Sequence, residues 1–213
     1  ILCQSSSGRH YILTDWLVGR KPVFRTFDED ILGATTTLAL FHEASSGFVA
    51  PSGGKLRNRL KRWPSRFTSR LREVVKLREE LNHKPFLDNF DRAFVDYFPW
   101  ILDRAQEGWG ILATSQYDSL VEAARKSRSF CHGDVAQRNF VVTGLGEYHI
   151  IDLDLTRRDI RVADLYKLFR DVMKKRRWDF RVARLILEGY SEVSLLGPEE
   201  LSVLYALLCY PHK

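Results

Sequence analysis

The sequence predicts an α+β fold, a mostly helical body with a small β portion, in a chain of 213 residues. Three observations predict it. Apolar residues recur three and four positions apart through most of the chain, as helices require. That period gives way to short extended runs in only two places, near the start and around residues 128–153. The composition, 45% hydrophobic and 28% charged, is that of a protein with a packed core. It excludes a disordered or fibrous chain, and no apolar run approaches the ~20 residues of a membrane span. Cys3, Cys131 and Cys209 are odd in number and contain no CxxC pair. They exclude a disulfide scaffold and a zinc finger, and fit a reducing compartment.

The elements follow in order. Residues 1–4 and 10–18 read as a hairpin, with Ser5-Ser6-Ser7-Gly8 as its turn. That serine run lacks GxGxxG spacing and a following Lys, so it does not read as a phosphate cradle. Gly19-Arg20-Lys21-Pro22 breaks the strand. Ile31, Ala34, Leu38 and Phe41 mark one face of a helix over 28–43. A Gly/Ser/Pro loop spans 46–54. A second stripe runs from Leu56 to Leu81, with Pro64 starting a new helix after Trp63. Phe86, Phe90, Phe94, Tyr97 and Ile101 give a third helix, and Leu120–Ala124 a short fourth. Arg128–Cys131 is extended, Phe140-Val141-Val142 is a strand, 144–147 a turn and 148–153 a second strand ending in acids. Helices follow over 161–173, 179–190 and 198–209, the last opened by Pro198 and two glutamates.

The chain starts Ile1-Leu2-Cys3, with no Met and no basic leader, and stops soon after an apolar helical run. It reads as an internal piece of a longer protein.

The stretch that carries chemistry is Cys131-His132-Gly133-Asp134-Val135-Ala136-Gln137-Arg138-Asn139, followed by Ile150-Ile151-Asp152-Leu153-Asp154. An Asp, four residues and an Asn lead into a hairpin that a second Asp closes. Phosphoryl transfer needs these types in this order. One carboxylate accepts the proton of the attacking hydroxyl, while an amide oxygen and a second carboxylate hold Mg²⁺ against nucleotide phosphates. The plainer alternative is a loop with Asx-type caps. Asp154 reads equally as a ligand for a second metal or as a cap of the following turn.

HGDxxxxN followed by IDxD resembles the centre of the aminoglycoside phosphotransferase and choline kinase branch of the protein-kinase-like fold. The resemblance implies Asp134 as catalytic base, Asn139 and Asp152 as Mg²⁺ ligands, and His132 as a buttress of the loop. Residues 11–19 resemble the last small-lobe strand running into the hinge, which would place adenine contacts on the backbone of Asp15 and Leu17. Leu38-Ala39-Leu40-Phe41-His42 resembles the first large-lobe helix. Ala163-Asp164-Leu165 resembles the helix start whose Asp holds the catalytic loop, read here as an N-terminal cap. The division implied is 1–18, end of the small lobe and hinge, and 19–213, the large lobe, incomplete at its C-terminus. The phosphate loop, anchoring Lys and its Glu partner would precede residue 1, so this piece alone should bind ATP poorly.

A finer resemblance is to the CotS-type spore coat proteins, a kinase-like family of spore-forming bacteria. It rests on Ile151-Asp152-Leu153-Asp154-Leu155, Arg158-Asp159-Ile160, Asp164-Leu165-Tyr166-Lys167-Leu168, Glu199-Glu200-Leu201, Tyr210-Pro211, Thr14-Asp15-Trp16 and residues 42–47. It implies a coat-associated protein of the mother-cell cytoplasm or spore coat, with a Mg-ATP-dependent site for a small-molecule hydroxyl and with coat proteins as partners. A catalytically silent coat scaffold and an antibiotic or sugar-hydroxyl kinase are the rival readings. Ala136 stands where such enzymes often carry a Lys or His, with Arg138 nearby as a substitute. Only 11 residues separate Asp152 from Asp164, no Ala-Pro-Glu follows, and Gly133 replaces the Arg of protein kinases, so a peptide substrate is disfavoured.

The net charge of +6 is uneven. Residues 55–84 hold 11 Lys/Arg against 3 acids, and residues 157–184 hold 11 against 4. Such segments either attract an anionic partner or are solvated helix faces. Trp63 and Phe67 fall at helical spacing with Leu60, Leu71 and Val74. They read as a buried stripe, not as base-stacking platforms, so no nucleic-acid partner is expected.

Overall fold

The computed structural model describes residues 2–12 and 14–210. Ile1, Leu13 and Pro211, assigned above to the first strand, the hinge-side strand and the closing segment, lie outside the described residues. β1 (Leu2–Gln4) and β2 (His10–Ile12) pair antiparallel. The serine run is their turn: the Gly8 N–H donates to Ser5 O at 2.9 Å, and Gly8 has φ 80°. Only glycine adopts that conformation without cost. The strand expected to reach residue 18 ends at Ile12.

The break expected at residue 19 is instead a strand. β3 (Gly19–Arg20) pairs antiparallel with β5 (Phe140–Thr143), which pairs with β6 (Tyr148–Ile150). A Cβ at Gly19 would collide with Val142 O, so the missing side chain is what lets this backbone approach. β6 stops at Ile150, short of the predicted Leu153, because Asp152 takes left-handed backbone angles and a 3-10 turn follows at Leu153–Leu155.

α1 (Asp28–Ser45) opens with Asp28, Glu29 and Asp30, which favour the positive end of the helix. It buries Ile31, Ala34 and Leu38 as predicted. Asp30 ties α1 to the small sheet. Its carboxylate accepts two hydrogen bonds from Arg20 at 2.8 Å, one from the Val23 N–H at 2.6 Å and one from the Tyr148 hydroxyl at 2.7 Å. Burial opposes ionisation, but these donors win and hold Asp30 down to about 2.

Two further strands went unforeseen. β4 (Arg57–Asn58) pairs parallel with β7 (Arg157–Arg158). α2 (Arg62–Asn82) therefore begins at Arg62 and not at Leu56. Pro64 sits in its first turn, where a missing N–H is harmless, and does not start a new helix. Trp63 and Phe67 are buried, with Leu60 beside them. α3 (Asn89–Thr114) is opened by reciprocal hydrogen bonds between Asp88 and Asp91. The aromatic stripe that predicted α3 does not face the core, since Phe86, Phe90 and Tyr97 are exposed. Ala105, Gly108 and Leu112 are its buried face.

α4 (Tyr117–Lys126), α5 (Val162–Lys175), α6 (Phe180–Ser191) and α7 (Pro198–Cys209) match the periodicity within a few residues. α5 is the most deeply buried helix, packing against α1, α6 and α7. α1 packs on α6, and α3 on α7. No helix among the described residues is long and apolar enough to cross a membrane.

Candidate functional site

The loop before β5 is held from below by one carboxylate. Asp164, wholly buried in the first turn of α5, accepts the N–H of His132 at 2.6 Å and of Gly133 at 2.9 Å. His42 of α1 reaches the same carboxylate at 3.2 Å and touches the Tyr190 hydroxyl of α6 at 2.7 Å. Burial opposes ionisation, yet His42, Arg157 and Lys167 hold Asp164 below the usual carboxylate range. Asp164 makes no capping hydrogen bond to its own helix, so the expected cap is a loop anchor only.

His132 is buried and works on both sides of the loop. Its Nδ1 meets the Asp134 N–H at 3.2 Å and its Nε2 lies 2.9 Å from Ile151 O. Asn139, also buried, donates through Nδ2 to Asp134 O at 2.7 Å and to Asp134 Oδ2 at 3.1 Å. Its own carbonyl accepts the Ile151 N–H at 2.9 Å. Both Asp134 and Asn139 are therefore stitched to the strand end that presents Asp152 in the next position. Among the described residues the Asn139 Oδ1 and the Asp152 carboxylate have no protein partner. Asp152 is exposed and holds φ 67°, a left-handed angle that costs a non-glycine residue about 1 kcal/mol or more. An amide oxygen and a carboxylate without a protein partner are hard donors of the kind Mg²⁺ takes.

Gly133 has φ 85°, and a Cβ there would collide with Leu155 O and the Arg157 guanidinium. Its carbonyl accepts from Arg157 Nη1 at 2.9 Å and from Lys167 Nζ. Sequence reasoning missed both cations. The signal was Gly133 itself, since the space freed by its missing side chain is filled by Arg157. Arg157 also donates through Nε to the buried Asp159 at 3.1 Å. Burial pushes Asp159 up to about 6 against the pull of Arg157.

Arg138, the nearby substitute for the Lys or His absent at Ala136, is turned toward the carboxylate of Asp134. It donates to Asp134 Oδ2 at 2.6 Å. Asp154 makes no capping hydrogen bond either, which removes that half of its alternative among the described residues. Asp15 and Leu17 fall in the exposed stretch 14–18, outside any helix or strand. Among the described residues that stretch makes no backbone hydrogen bond, so its N–H and C=O groups are free for a ligand.

Residues 17–213 match the family described as "Spore coat putative kinase YutH". Spore coat protein S of Bacillus subtilis (strain 168) is 26% identical over 215 aligned residues, covering 99% of this chain and 59% of that protein. The crystal structure of an aminoglycoside phosphotransferase from Alicyclobacillus acidocaldarius superposes with a TM-score of 0.86 at 24% identity, covering 99% of this chain and 60% of that one. The chain thus spans about three-fifths of the length of the relatives it matches. At this identity the structural likeness speaks for the fold, which is protein-kinase-like. With the match running from residue 17 to residue 213, the chain belongs to the YutH family of kinase-like spore coat proteins.

Proposed function

We propose that the whole protein is a coat-associated phosphotransferase that moves the γ-phosphoryl group of Mg-ATP to the hydroxyl of a small molecule. The observation that supports the reading is that Asn139 Oδ1 and the Asp152 carboxylate lack a protein partner among the described residues, on segments that hydrogen bonds to Ile151 join to the loop of Asp134. In this reading Asn139 and Asp152 hold Mg²⁺, which supplies charge neutralisation at the phosphates. Asp134 takes the proton as the acceptor oxygen bonds to phosphorus and the bond to the ADP oxygen breaks. The backbone of Asp15 and Leu17 receives adenine. Residues 1–18 act as the hinge side of a small lobe, and 19–213 as the large lobe. The protein works in the mother-cell cytoplasm or in the coat, with coat proteins as neighbours.

A silent scaffold is the second reading, and one feature favours it. Arg138 and the Asn139 amide both donate to Asp134 Oδ2, so the carboxylate expected to act as base is engaged within the loop. Calorimetry with Mg-ATP on the full-length protein separates the two. The proposal expects binding that Asp152→Asn weakens about tenfold or more, together with ATP turnover that Asp134→Asn removes. Nucleotide binding that ignores Asp152→Asn, or its absence in the full-length protein, supports the scaffold.

A further inference from the structure

A cleft of about 610 Å³ opens on the side of Gly133, one residue from the expected base. Its walls carry Arg57, Arg59, Arg62 and Arg66 from the β4–α2 region and Arg157 and Lys167 from the β7–α5 region. The β4–β7 pair brings these two sets together although a hundred residues separate them, with the Arg59 N–H donating to Arg158 O at 2.8 Å.

The cations on the first wall form no ion pair among the described residues. Among the described residues Arg59 and Arg62 form no ion pair. Arg57 reaches only the Asp154 carbonyl, at 3.3 Å, and Arg66 lies over the Trp63 ring at 4.5 Å. The nearby carboxylates are engaged or few: Asp134 by Arg138, Asp159 by Arg157, and Asp154 alone. The helix adds to the field. α2 begins at this wall with no acid in its first turn, whereas α1, α3, α4, α5 and α7 each have at least one. Burial and the neighbouring Arg157 and Arg59 depress Arg66, and burial and Arg157 likewise depress Lys167. Like charges crowded in this way work against folding, and an anion would relieve them.

We infer that the acceptor is an alcohol bearing a phosphate group, of sugar- or polyol-phosphate size, with its phosphate on these arginines and its hydroxyl toward Asp134. The role of Asp134 rests on the proposed phosphotransfer, whereas the anion site rests on the cleft alone. Several forked guanidinium groups suit a tetrahedral, doubly charged anion better than they suit a neutral sugar. The volume is that of a small-molecule site. A cationic aminoglycoside is repelled by the same field.

The test uses the full-length protein, with glycerol 3-phosphate as probe and glycerol and inorganic phosphate as its arms. Calorimetry is run with and without saturating Mg-ADP. Glycerol 3-phosphate should bind, inorganic phosphate more weakly and glycerol not at all, and salt should weaken the binding. Arg59→Ser/Arg62→Ser should lower affinity about tenfold or more with an unchanged circular dichroism spectrum. Arg62→Glu provides a second variant with the same expected direction. Absence of glycerol 3-phosphate binding, equal binding by the variants, or competition with Mg-ADP would overturn the assignment, the last by giving the cleft to the nucleotide. If glycerol 3-phosphate binds while Mg-ATP does not, the anion site stands and the phosphotransferase reading falls. If Mg-ATP binds and glycerol 3-phosphate does not, the reverse holds.

Discussion

The two basic segments carry almost the same charge, +8 over residues 55–84 and +7 over 157–184, yet the fold pairs their cations to different extents. The second segment is largely neutralised from within. Arg157 pairs with Asp159, Arg161 with Glu200, Lys175 with Asp171, Arg176 with Asp28, Arg181 with Asp179 and Arg184 with Glu188. The first segment keeps Arg57, Arg59, Arg62 and Arg66 without ion pairs among the described residues, in one cleft. Net charge along a sequence therefore does not separate structural cations from recognition cations. Their partners do, and partners belong to the tertiary structure.

The comparison predicts that substitutions of the ion-paired cations of the second segment cost stability and those of the unpaired arginines that the first segment gives to the cleft do not. The largest effect belongs to Arg157→Ala, which strands the buried Asp159 and takes one of two donors from the Gly133 carbonyl. Urea unfolding should show a loss of about 3–5 kcal/mol at neutral pH. Because Asp159 is already raised to about 6, the loss should shrink below that pH, where the acid is neutral. A loss independent of pH would break the link to Asp159.

Next comes Arg161→Ala. Its guanidinium donates to Glu200 at 2.7 and 2.8 Å, to Ser194 Oγ at 2.6 Å and to Leu195 O at 2.7 Å, stapling α5 to the start of α7. Thermal or chemical unfolding should register about 2–3 kcal/mol.

A third test lies outside both segments, at Arg20 and Asp30. Asp30 sits near 2, below its ordinary 3.8, so its contribution is complete above that ordinary value and is lost as pH falls toward 2. Asp30→Asn should cost about 2 kcal/mol at neutral pH and flatten the acid limb of the stability profile. An unchanged acid limb would mean that Asp30 is not held by its donors in solution.

The smallest effect is expected at the cleft wall. Arg62→Ser should move stability by no more than about 0.5 kcal/mol in either direction, as for exposed residues without partners. A loss as large as that of Arg161→Ala would place Arg62 among the structural cations.

The fold was legible wherever burial sets the pattern. α1, α5, α6 and α7 show a 3.6-residue period because one face of each is packed. The order Asp134, Asn139, Asp152 stands out in the sequence because phosphoryl-transfer chemistry would restrict residue type and spacing in this way. β3, β4 and β7 were not legible, since each is two residues long and made of Gly, Arg or Asn, which carry no strand signal. Their pairing is imposed by the elements around them. The α3 stripe misled in the other direction, because Phe86, Phe90 and Tyr97 keep helical spacing while facing outward. The Arg157 and Lys167 contacts to Gly133 are long-range and leave no local trace.

The chain of bonds from Tyr190 through His42 and Asp164 to the His132 and Gly133 amides joins α6, α1, α5 and the loop of Asp134. Its consequence can be read in deuterium uptake. Those two amide hydrogens are buried and bonded to a carboxylate that cannot leave without unfolding the core, so they should exchange only through the rarest, global openings. The amides of residues 14–18, exposed and unbonded among the described residues, should exchange at nearly the rate of a free chain. Along one chain the two halves of the expected nucleotide site should thus mark opposite ends of its range of protection. A ligand that slows the fast end would be tightening the part of the site the fold leaves loose.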